Sequence, residues 1–457
     1  MKATAHALPH LVAKILGGAL LLGSALSAAQ IPSSGISAAA AAKLDAIAEQ
    51  YRSAHRIPGL AVIVGTSSGR VLHATNIGFA NLNARTAVSP ETEFRIFSVS
   101  KVFAAVLVHQ LAQEGRITLT AAVGQYMPEL PAWRDSVKVR DLLAHTSGIG
   151  DFTDVSGWRK GAPTRAFVEA ALRQPLQFAP GTSWRYSNTN FVLIDRLIER
   201  VTGESYASVL KRRLLVPSSL SSTSVTCGEP QLAAGYLDSS DAPVEDAVSN
   251  SAPFSLAVGG LCSTARDLYG FFSSLVSGRT LRPPSLAEML RAAPVGIAQS
   301  GAGLFSAEDA EGTVISHSGA SSNGTAEVIA FPRDSIVIVA LANKGRQDLE
   351  ELVRKLRRAL LGIPEPVVLD LPIASGQLAP LVGTYSTVNG PGRMVVSERN
   401  GELYGLGTRL LYQGGGIFVP EDSPDLRLAF DVENGSVTGA RVLRYGVVKL
   451  QSRRQAK

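Results

Sequence analysis

The sequence predicts an α+β domain followed by a small all-β domain. Strand-like apolar patterns stand near residues 60–80 and again near 325–342, and the segment between them has helical spacing. This order does not alternate as a doubly wound sheet would; it predicts an antiparallel sheet built from both ends of the first domain, with an inserted helical block and helices on the sheet's faces. After residue 378 short strand patterns are separated by Asn-Gly pairs, which favour tight hairpin turns.

The elements of the first domain follow from the spacing of apolar residues. Apolar residues three to four apart predict helices, and β-branched runs bounded by turn residues predict strands. A capping box opens the helix near residue 264, because the Thr264 hydroxyl can accept from the backbone N–H of Asp267. In chain order we predict a helix ending before Pro58-Gly59, strands Leu60–Gly65 and Val71–Ala80, helices Val102–Glu114, Thr164–Arg173, Asn190–Thr202 and Thr264–Ser277, strands Thr325–Phe331 and Ser335–Ala342, and a basic helix Asp348–Leu361.

Composition excludes several classes of protein. The chain has 457 residues, of which 45% are hydrophobic and 18% charged, too apolar a mixture for a disordered chain. Two cysteines, Cys227 and Cys262, cannot supply a disulfide scaffold, a four-cysteine zinc site or iron–sulfur ligands; whether they pair or stay free thiols is left open by the sequence. The net charge of +6 is mostly spread along the chain without a nucleic-acid motif. We therefore expect no nucleic-acid partner, no metal and no organic cofactor.

The first 29 residues have the pattern of a secretory signal peptide. Lys2 and Lys14 carry the only formal charges before the apolar run Ile15–Ala29, whose small final residues suit cleavage before Gln30. The run is shorter than the roughly 20 residues that cross a bilayer, and no cysteine follows it for lipid attachment. We expect a periplasmic or secreted protein without a stable membrane span after cleavage; an uncleaved anchor is the alternative.

One serine motif has the wrong context for catalysis. Gly65-Thr66-Ser67-Ser68-Gly69 fits the G-x-S-x-G nucleophile elbow of α/β-hydrolases. That elbow needs a helix directly after the serine, whereas Arg70–Ala80 continues as a strand. We interpret the glycines as hairpin residues and do not assign Ser67 as a nucleophile.

A second serine stands in a better context. Ser98-Val99-Ser100-Lys101 is an S-x-x-K pattern at the start of a predicted helix, where residues three apart are neighbours, about 5–6 Å apart at Cβ. A lysine with a lowered pKa can take the proton that keeps a serine unreactive, and the N–H groups of a helix start can stabilise an oxyanion. Ser208 and Lys211 share the spacing but lie inside an amphipathic helix, so we assign them to its surface.

Two further patterns follow along the chain. Tyr186-Ser187-Asn188 is the only Y-x-N among ten tyrosines, and His317-Ser318-Gly319 is the only H-x-G. In this order the three patterns resemble the serine β-lactamase-like hydrolases, in the branch of class C β-lactamases, DD-peptidases and esterases. The resemblance covers Leu44–Leu361, and the all-β tail is similar to the small barrel appended to some members.

The resemblance implies a role for each matching residue. Ser98 would be the acylated nucleophile, with Lys101 as its activator. Tyr186 would be the general base or proton shuttle, its pKa lowered by the lysine. The substrate-binding set would be Asn188, which orients the substrate amide and Lys101, His317 and Gly319 on the edge strand beside the substrate, and Ala320, whose N–H binds the oxyanion together with that of Ser98. The His145 side chain, in a His-Thr-Ser-Gly phrase, is assigned to stabilising a turn.

Two positions depart from the family pattern. Class C β-lactamases have lysine where this chain has His317, and a mostly neutral histidine holds a substrate carboxylate less firmly. This residue resembles the peptidase and esterase members instead. Phe97 replaces a glycine that commonly precedes the nucleophile, and it either narrows the acyl pocket or packs against the sheet.

These observations predict an exported serine hydrolase that opens an amide or ester through a Ser98 acyl-enzyme. Its partners would be small-molecule or peptide substrates: D-amino-acid peptides of the peptidoglycan type, β-lactams or small esters. Two alternatives stay open, a carboxylesterase of the same family and a poorly deacylating sensor that binds penicillin or muropeptides.

The predicted division of the chain is a signal peptide at 1–29, a hydrolase domain at 30–361, a linker at 362–378 and a small antiparallel β-barrel at 379–457.

Overall fold

The computed structural model describes residues 35–158, 164–228, 231–237, 244–245, 255–291, 293, 300–309, 312–388, 392–433, 435–444 and 447–455. The predicted signal peptide lies outside these ranges. The helices are α1 (Ala38–Ala54), α2 (Ser100–Gln113), α3 (Val139–Leu143), α4 (Thr164–Arg173), α5 (Asn188–Thr202), α6 (Tyr206–Leu210), α7 (Leu256–Gly259), α8 (Ala265–Val276), α9 (Pro283–Leu290), α10 (Leu349–Leu361) and α11 (Ser375–Leu378). The strands of the first domain are β1 (Gly59–Thr66), β2 (Val71–Asn81), β3 (Thr86–Ala87), β4 (Phe94–Arg95), β5 (Tyr236–Leu237), β6 (Val244–Glu245), β7 (Cys262–Ser263), β8 (Phe305–Asp309), β9 (Gly312–Ser321), β10 (Gly324–Phe331) and β11 (Ile336–Ala342).

A seven-stranded antiparallel sheet forms the centre of the first domain, in the order β3-β2-β1-β11-β10-β9-β8. β1 and β11 come from opposite ends of the domain and pair in the middle, with Leu60 opposite Ala342 and Thr66 opposite Ile336. The helical block is inserted between β4 and β8. The predicted α+β architecture is confirmed.

Both faces of the sheet are covered, because residues alternate along its central strands. Leu60, Val62 and Val64 pack in a cluster with α1 and α10, whereas Ala61 and Ile63 pack in the larger cluster that includes α2, α5 and α8. A strand buried on both faces has a continuous apolar run, which is what β1 shows. The candidate catalytic residues lie on the side of the larger cluster.

The two serine patterns set aside above lie outside any catalytic arrangement. Ser67 is in the turn between β1 and β2, and its N–H donates to the Ser335 carbonyl at 2.9 Å. No helix follows it, so the elbow interpretation fails. Ser208 and Lys211 are exposed at the end of α6.

The C-terminal domain is a closed antiparallel barrel of eight strands, which confirms the predicted all-β domain. β12 closes on β19, with Tyr385 opposite Arg454. Asn400 and Gly401 have φ values of 55° and 81°, as a type I′ hairpin turn requires. The barrel strands are β12 (Gly383–Thr387), β13 (Arg393–Arg399), β14 (Glu402–Gly405), β15 (Thr408–Gly414), β16 (Ile417–Pro420), β17 (Leu426–Glu433), β18 (Ser436–Arg444) and β19 (Val447–Arg454).

Across the ranges that the structure describes, no helix has the length and apolar character needed to cross a membrane.

Candidate active site

Ser98 lies in a single 3₁₀ turn, Phe97–Val99, that joins β4 to α2. Its side chain is only partly buried, so a substrate can reach it. Phe97 directly before it has φ 46°, a left-handed conformation that costs free energy for a residue with a side chain. The Phe97 ring packs against the start of β10, where a Cβ added to Gly324 would lie 2.8 Å from its Cε2. Of the two roles considered for Phe97, the structure shows packing against the sheet.

Lys101 projects from the first turn of α2 and is completely buried. Its Nζ lies 3.2 Å from Ser98 Oγ, 3.0 Å from Asn188 Oδ1 and 2.7 Å from the Val258 carbonyl oxygen. Burial lowers the pKa of Lys101 to about 7, against the opposing effect of the Asp151 charge. A large fraction of this lysine is therefore neutral near pH 7.

The partners of Lys101 determine where the lone pair of the neutral amine points. A neutral amine has two N–H donors and one lone pair. The Asn188 and Val258 oxygens only accept, so they take both N–H groups. The lone pair is then left for the Ser98 hydroxyl, as a general base requires.

Tyr186 lies next to Ser98 and forms a hydrogen bond with its side chain. Burial raises the pKa of the Tyr186 phenol above its usual value, although this hydrogen bond acts in the opposite direction. The sequence argument expected a lysine to lower that pKa, and this expectation is wrong because desolvation dominates. A neutral phenol can relay a proton but is poorly suited to start the reaction as a base.

The His145 ring packs against the Tyr186 ring. The two rings stack with centroids 4.3 Å apart, and His145 Nδ1 accepts the Ser187 N–H at 3.2 Å. Burial lowers the pKa of His145 well below its usual range, so the ring is neutral. Its backbone lies in a turn, with φ of 58°. The assignment of its side chain to stabilising a turn stays a prediction; the contacts shown are with Tyr186 and Ser187.

Asn188 begins α5, and its side-chain amide is held between the Lys101 amine and the Asp151 carboxylate. Its Oδ1 accepts from Lys101, while its Nδ2 and its backbone N–H both donate to Asp151 Oδ2, at 2.9 and 3.0 Å. Sequence reasoning missed Asp151 and the Val258 carbonyl. No spacing connects them with the three patterns. The sequence signal for Asp151 was its place three residues after the His-Thr-Ser-Gly segment, and a backbone carbonyl such as that of Val258 leaves no signal.

Gly319 brings β9 against the backbone of Ser98. A Cβ added there would lie 2.2 Å from the Ile96 carbonyl oxygen and 2.9 Å from the Ser98 nitrogen, so only glycine permits this approach. Ala320 follows it and is exposed. The pairing of β8 with β9 ends at Ser316, so within the described residues β9 is the edge of the sheet only from His317 onward. The sequence analysis expected His317 and Gly319 on an edge strand. In the structure they lie at the end of β9, which is an inner strand up to Ser316.

His317 is buried, and burial lowers its pKa to about 4, so the ring is neutral at pH 7. Its Nδ1 lies 2.7 Å from the Ser318 carbonyl oxygen. A carbonyl only accepts, which assigns the proton to Nδ1 and leaves Nε2 as an acceptor. A neutral ring with an acceptor nitrogen gives a substrate carboxylate no cation to bind.

Cys227 and Cys262 form a disulfide, which resolves the pairing left open by the sequence. The segment between them contains Val258, whose carbonyl oxygen accepts from Lys101. Cys262 lies on β7, which pairs with β4 just before the nucleophile. The neighbouring Leu261 N–H donates to Ser100 Oγ at 3.3 Å. Within the described ranges, no group of three or more His, Cys, Asp or Glu side chains is placed to hold a metal ion.

Known proteins resemble this chain over one or both domains. Penicillin-binding protein 4 of Amycolatopsis lactamdurans is 29% identical over 378 residues, 75% of this chain and 96% of that protein. Protein flp of Staphylococcus aureus is 29% identical over 188 residues, 40% of this chain, and the match spans only 38% of Protein flp. The crystal structure of SurE superposes with a TM-score of 0.61 at 25% identity over 91% of this chain and 99% of SurE; SurE with D-Leu gives 0.59 at 25% over 92% and 100%.

The family model described as Beta-lactamase matches residues 44–362, the whole sheet and its helices through α10. It includes Ser98, Lys101, Tyr186 and His317. With this match and the shared fold, the chain belongs to the β-lactamase family.

Proposed function

We propose that this protein is an exported serine hydrolase that cleaves amide or ester bonds of D-amino-acid compounds through an acyl-enzyme on Ser98. The observation that carries the proposal is the Lys101 amine: two acceptors hold its N–H groups, and its lone pair is left for Ser98 Oγ. Export rests on the signal-peptide pattern of residues 1–29. A relative named for penicillin binding and a similar structure solved with D-Leu support the substrate class.

The proposed acylation begins with proton transfer from Ser98 to Lys101. Ser98 Oγ attacks the substrate carbonyl, and the N–H groups of Ser98 and Ala320 stabilise the oxyanion. Tyr186, which stays protonated, donates its proton to the leaving amine or alcohol and regains one from Lys101. In the proposed deacylation a water molecule gives a proton to Lys101 and attacks the acyl carbonyl. The bond to Ser98 Oγ then breaks, Oγ takes the proton back from Lys101, and the acid is released.

The proposed binding site favours a substrate without a free carboxylate beside the scissile bond. His317 is neutral, so the interaction with the C-terminal carboxylate of a DD-peptide or with a β-lactam carboxylate would be weak. The β9 edge from His317 to Ser321, which has no partner strand on this side among the described residues, can instead bond to an extended peptide backbone. D-amino-acid amides and esters therefore fit better than β-lactams.

The first test compares turnover of four substrates: D-phenylalanine amide, p-nitrophenyl butyrate, diacetyl-Lys-D-Ala-D-Ala and nitrocefin. Wild type should turn over the amide or the ester fastest, and Ser98→Ala should lose roughly 10³-fold or more. Ser208→Ala, the serine of the second S-x-x-K pattern, is the matched control and should keep full activity. Full turnover by Ser98→Ala would refute the mechanism. A stoichiometric burst without steady turnover would favour the sensor.

The pH profile of wild type gives a second check. The base must be neutral to accept the serine proton, so kcat/KM should rise with pH through the pKa of Lys101, near 7. Activity that is flat from pH 5 to 9 would contradict Lys101 as the base.

A further inference from the structure

We propose that Asp151 is a positioning residue that holds the Asn188 amide in the one orientation that leaves Lys101 able to take the proton of Ser98. The inference rests on the proposed function, because it concerns the same nucleophile and base. It adds a residue outside the three sequence patterns.

The geometry assigns the orientation of the amide. Asp151 Oδ2 accepts both the Asn188 backbone N–H at 3.0 Å and Nδ2 at 2.9 Å. An ionised carboxylate only accepts, so the amide nitrogen must face it and the amide oxygen must face Lys101. In the flipped amide, an oxygen would face the carboxylate and an NH₂ group would face Nζ. That NH₂ would then compete with the Ser98 hydroxyl for the lone pair of the amine.

Asp151 is itself held in place. It is buried, and its Oδ1 accepts the Thr153 N–H at 3.0 Å, so both oxygens have fixed partners. The adjacent Gly150 carbonyl accepts the Thr189 hydroxyl at 2.8 Å, which joins this loop to the first turn of α5. A short loop and a helix start are thus connected at the point where Asn188 meets Lys101.

Asp151 also supplies the negative charge beside Lys101. Among the other titratable groups that face the lysine, Tyr186 stays protonated and uncharged, and His145 and His317 are neutral at pH 7. Asp151 is the carboxylate in the described residues whose charge favours the ammonium form. Removing that charge should lower the pKa of Lys101 further, which a purely structural role for Asp151 would not do.

Three variants separate these effects. Asp151→Asn keeps an oxygen that can accept from Asn188 but removes the charge and turns a donor toward Thr153. Asp151→Ala removes every contact. Asp154→Asn is the matched control, since Asp154 lies on the same turn, is exposed and pairs only with Arg185 among the contacts described, at 2.9 Å.

The measurements are steady-state kinetics, thermal melting and a ¹³C NMR titration of lysine ε-carbons, with Lys101 assigned from a Lys101→Met variant. We expect Asp151→Ala to lose about 100-fold in kcat/KM and Asp151→Asn about tenfold, through kcat. In Asp151→Asn the Lys101 titration and the acid limb of kcat/KM should both move about one pH unit lower. The control should match wild type in all three.

The kinetics and the NMR titration test two parts of the proposal. Wild-type kcat/KM in a folded Asp151→Ala variant, or losses of activity that only follow the loss of folded protein in the melts, would overturn the positioning of the Asn188 amide by Asp151. An unmoved Lys101 titration in a folded Asp151→Asn variant would overturn the electrostatic link between Asp151 and Lys101. If wild type does not acylate Ser98, the proposed function fails; a shifted titration would still support the link between Asp151 and Lys101.

Discussion

Gly319 is the residue on which the distance between β9 and Ser98 depends. A methyl group in Gly319→Ala would meet the Ile96 carbonyl oxygen at 2.2 Å, and a backbone atom cannot rotate away as a side chain can. The 3₁₀ turn that carries Ser98 must then separate from β9. Because displacement by about 1 Å can cost 100-fold, we expect a loss of about that size in kcat/KM while the protein stays folded.

A second glycine provides the control for this prediction. A Cβ added to Gly376 has no atom within 4 Å, so Gly376→Ala should keep wild-type kinetics. Both variants are compared by steady-state kinetics and circular dichroism at one temperature. Wild-type turnover by Gly319→Ala would show that the turn tolerates the shift and that close approach of β9 is not needed.

Individual site residues could be predicted from the sequence where they lie close together in it. Residues that meet only because distant parts of the chain fold together were missed. Ser98 and Lys101 share one helix turn and Tyr186 and Asn188 one loop, so their proximity follows from short spacing. Asp151 reaches Asn188 only because two distant loops meet. The direction of the Tyr186 pKa could not be predicted either, since it depends on how deeply the phenol is buried.

The element that supports Lys101 from the outside is the segment closed by the Cys227–Cys262 disulfide. The bond spans 35 residues, and closing a loop of that length restricts the unfolded chain by about 4 kcal/mol in the chain-entropy treatment. We expect the Cys227→Ala/Cys262→Ala double variant to unfold at lower urea concentration. All three tryptophans, at 133, 158 and 184, lie in the first domain, so their fluorescence reports this domain alone.

Wild type unfolded in the presence of a reductant is the control for the double variant. Its urea midpoint should fall to about that of the variant, because both lose the same restriction. Equal midpoints for the double variant and oxidised wild type would contradict a stabilising role for the disulfide.

Elements were predictable where local chemistry determines them. The Thr264 hydroxyl accepts the Asp267 N–H at 3.2 Å, as the capping box predicted, and Asn400-Gly401 forms its hairpin turn. The two-residue pairing of β4 with β7 was not predictable, because it joins short segments far apart in the sequence. Strand β9 was only partly predicted, because glycine, serine and histidine interrupt the apolar pattern expected of a buried strand.

The two domains are joined across an ionic contact as well as through the linker. Arg444 of β18 forms ion pairs with Asp348, at the start of α10, and with Asp425 in the barrel, and its Nη1 lies 3.5 Å from Glu350 Oε2. The Arg444 and Asp425 side chains are only 13% and 12% exposed, whereas Asp348 is 45% exposed. Strand β19 also contacts β8, whose Phe305 ring lies 5.3 Å from the His317 ring. A change in the position of the barrel could therefore be transmitted through β8 to His317 in the candidate site.

Arg444→Met should weaken this contact, because it leaves carboxylates from both domains close together without the shared arginine. Removing one partner of a buried ion pair typically costs about 3–5 kcal/mol, and the loss here should be smaller because solvent screens the half-exposed Asp348. We expect calorimetry to show a separate, lower barrel transition and a protease to cut the linker near Val367, which is 78% exposed, more quickly than in wild type. Arg441→Met is the matched control, since Arg441 lies on the same strand but pairs with Asp431 inside the barrel at 2.6 Å. If Arg444→Met unfolds in the same transition as wild type and its linker is cut no faster, apolar contacts rather than this arginine hold the barrel to the first domain.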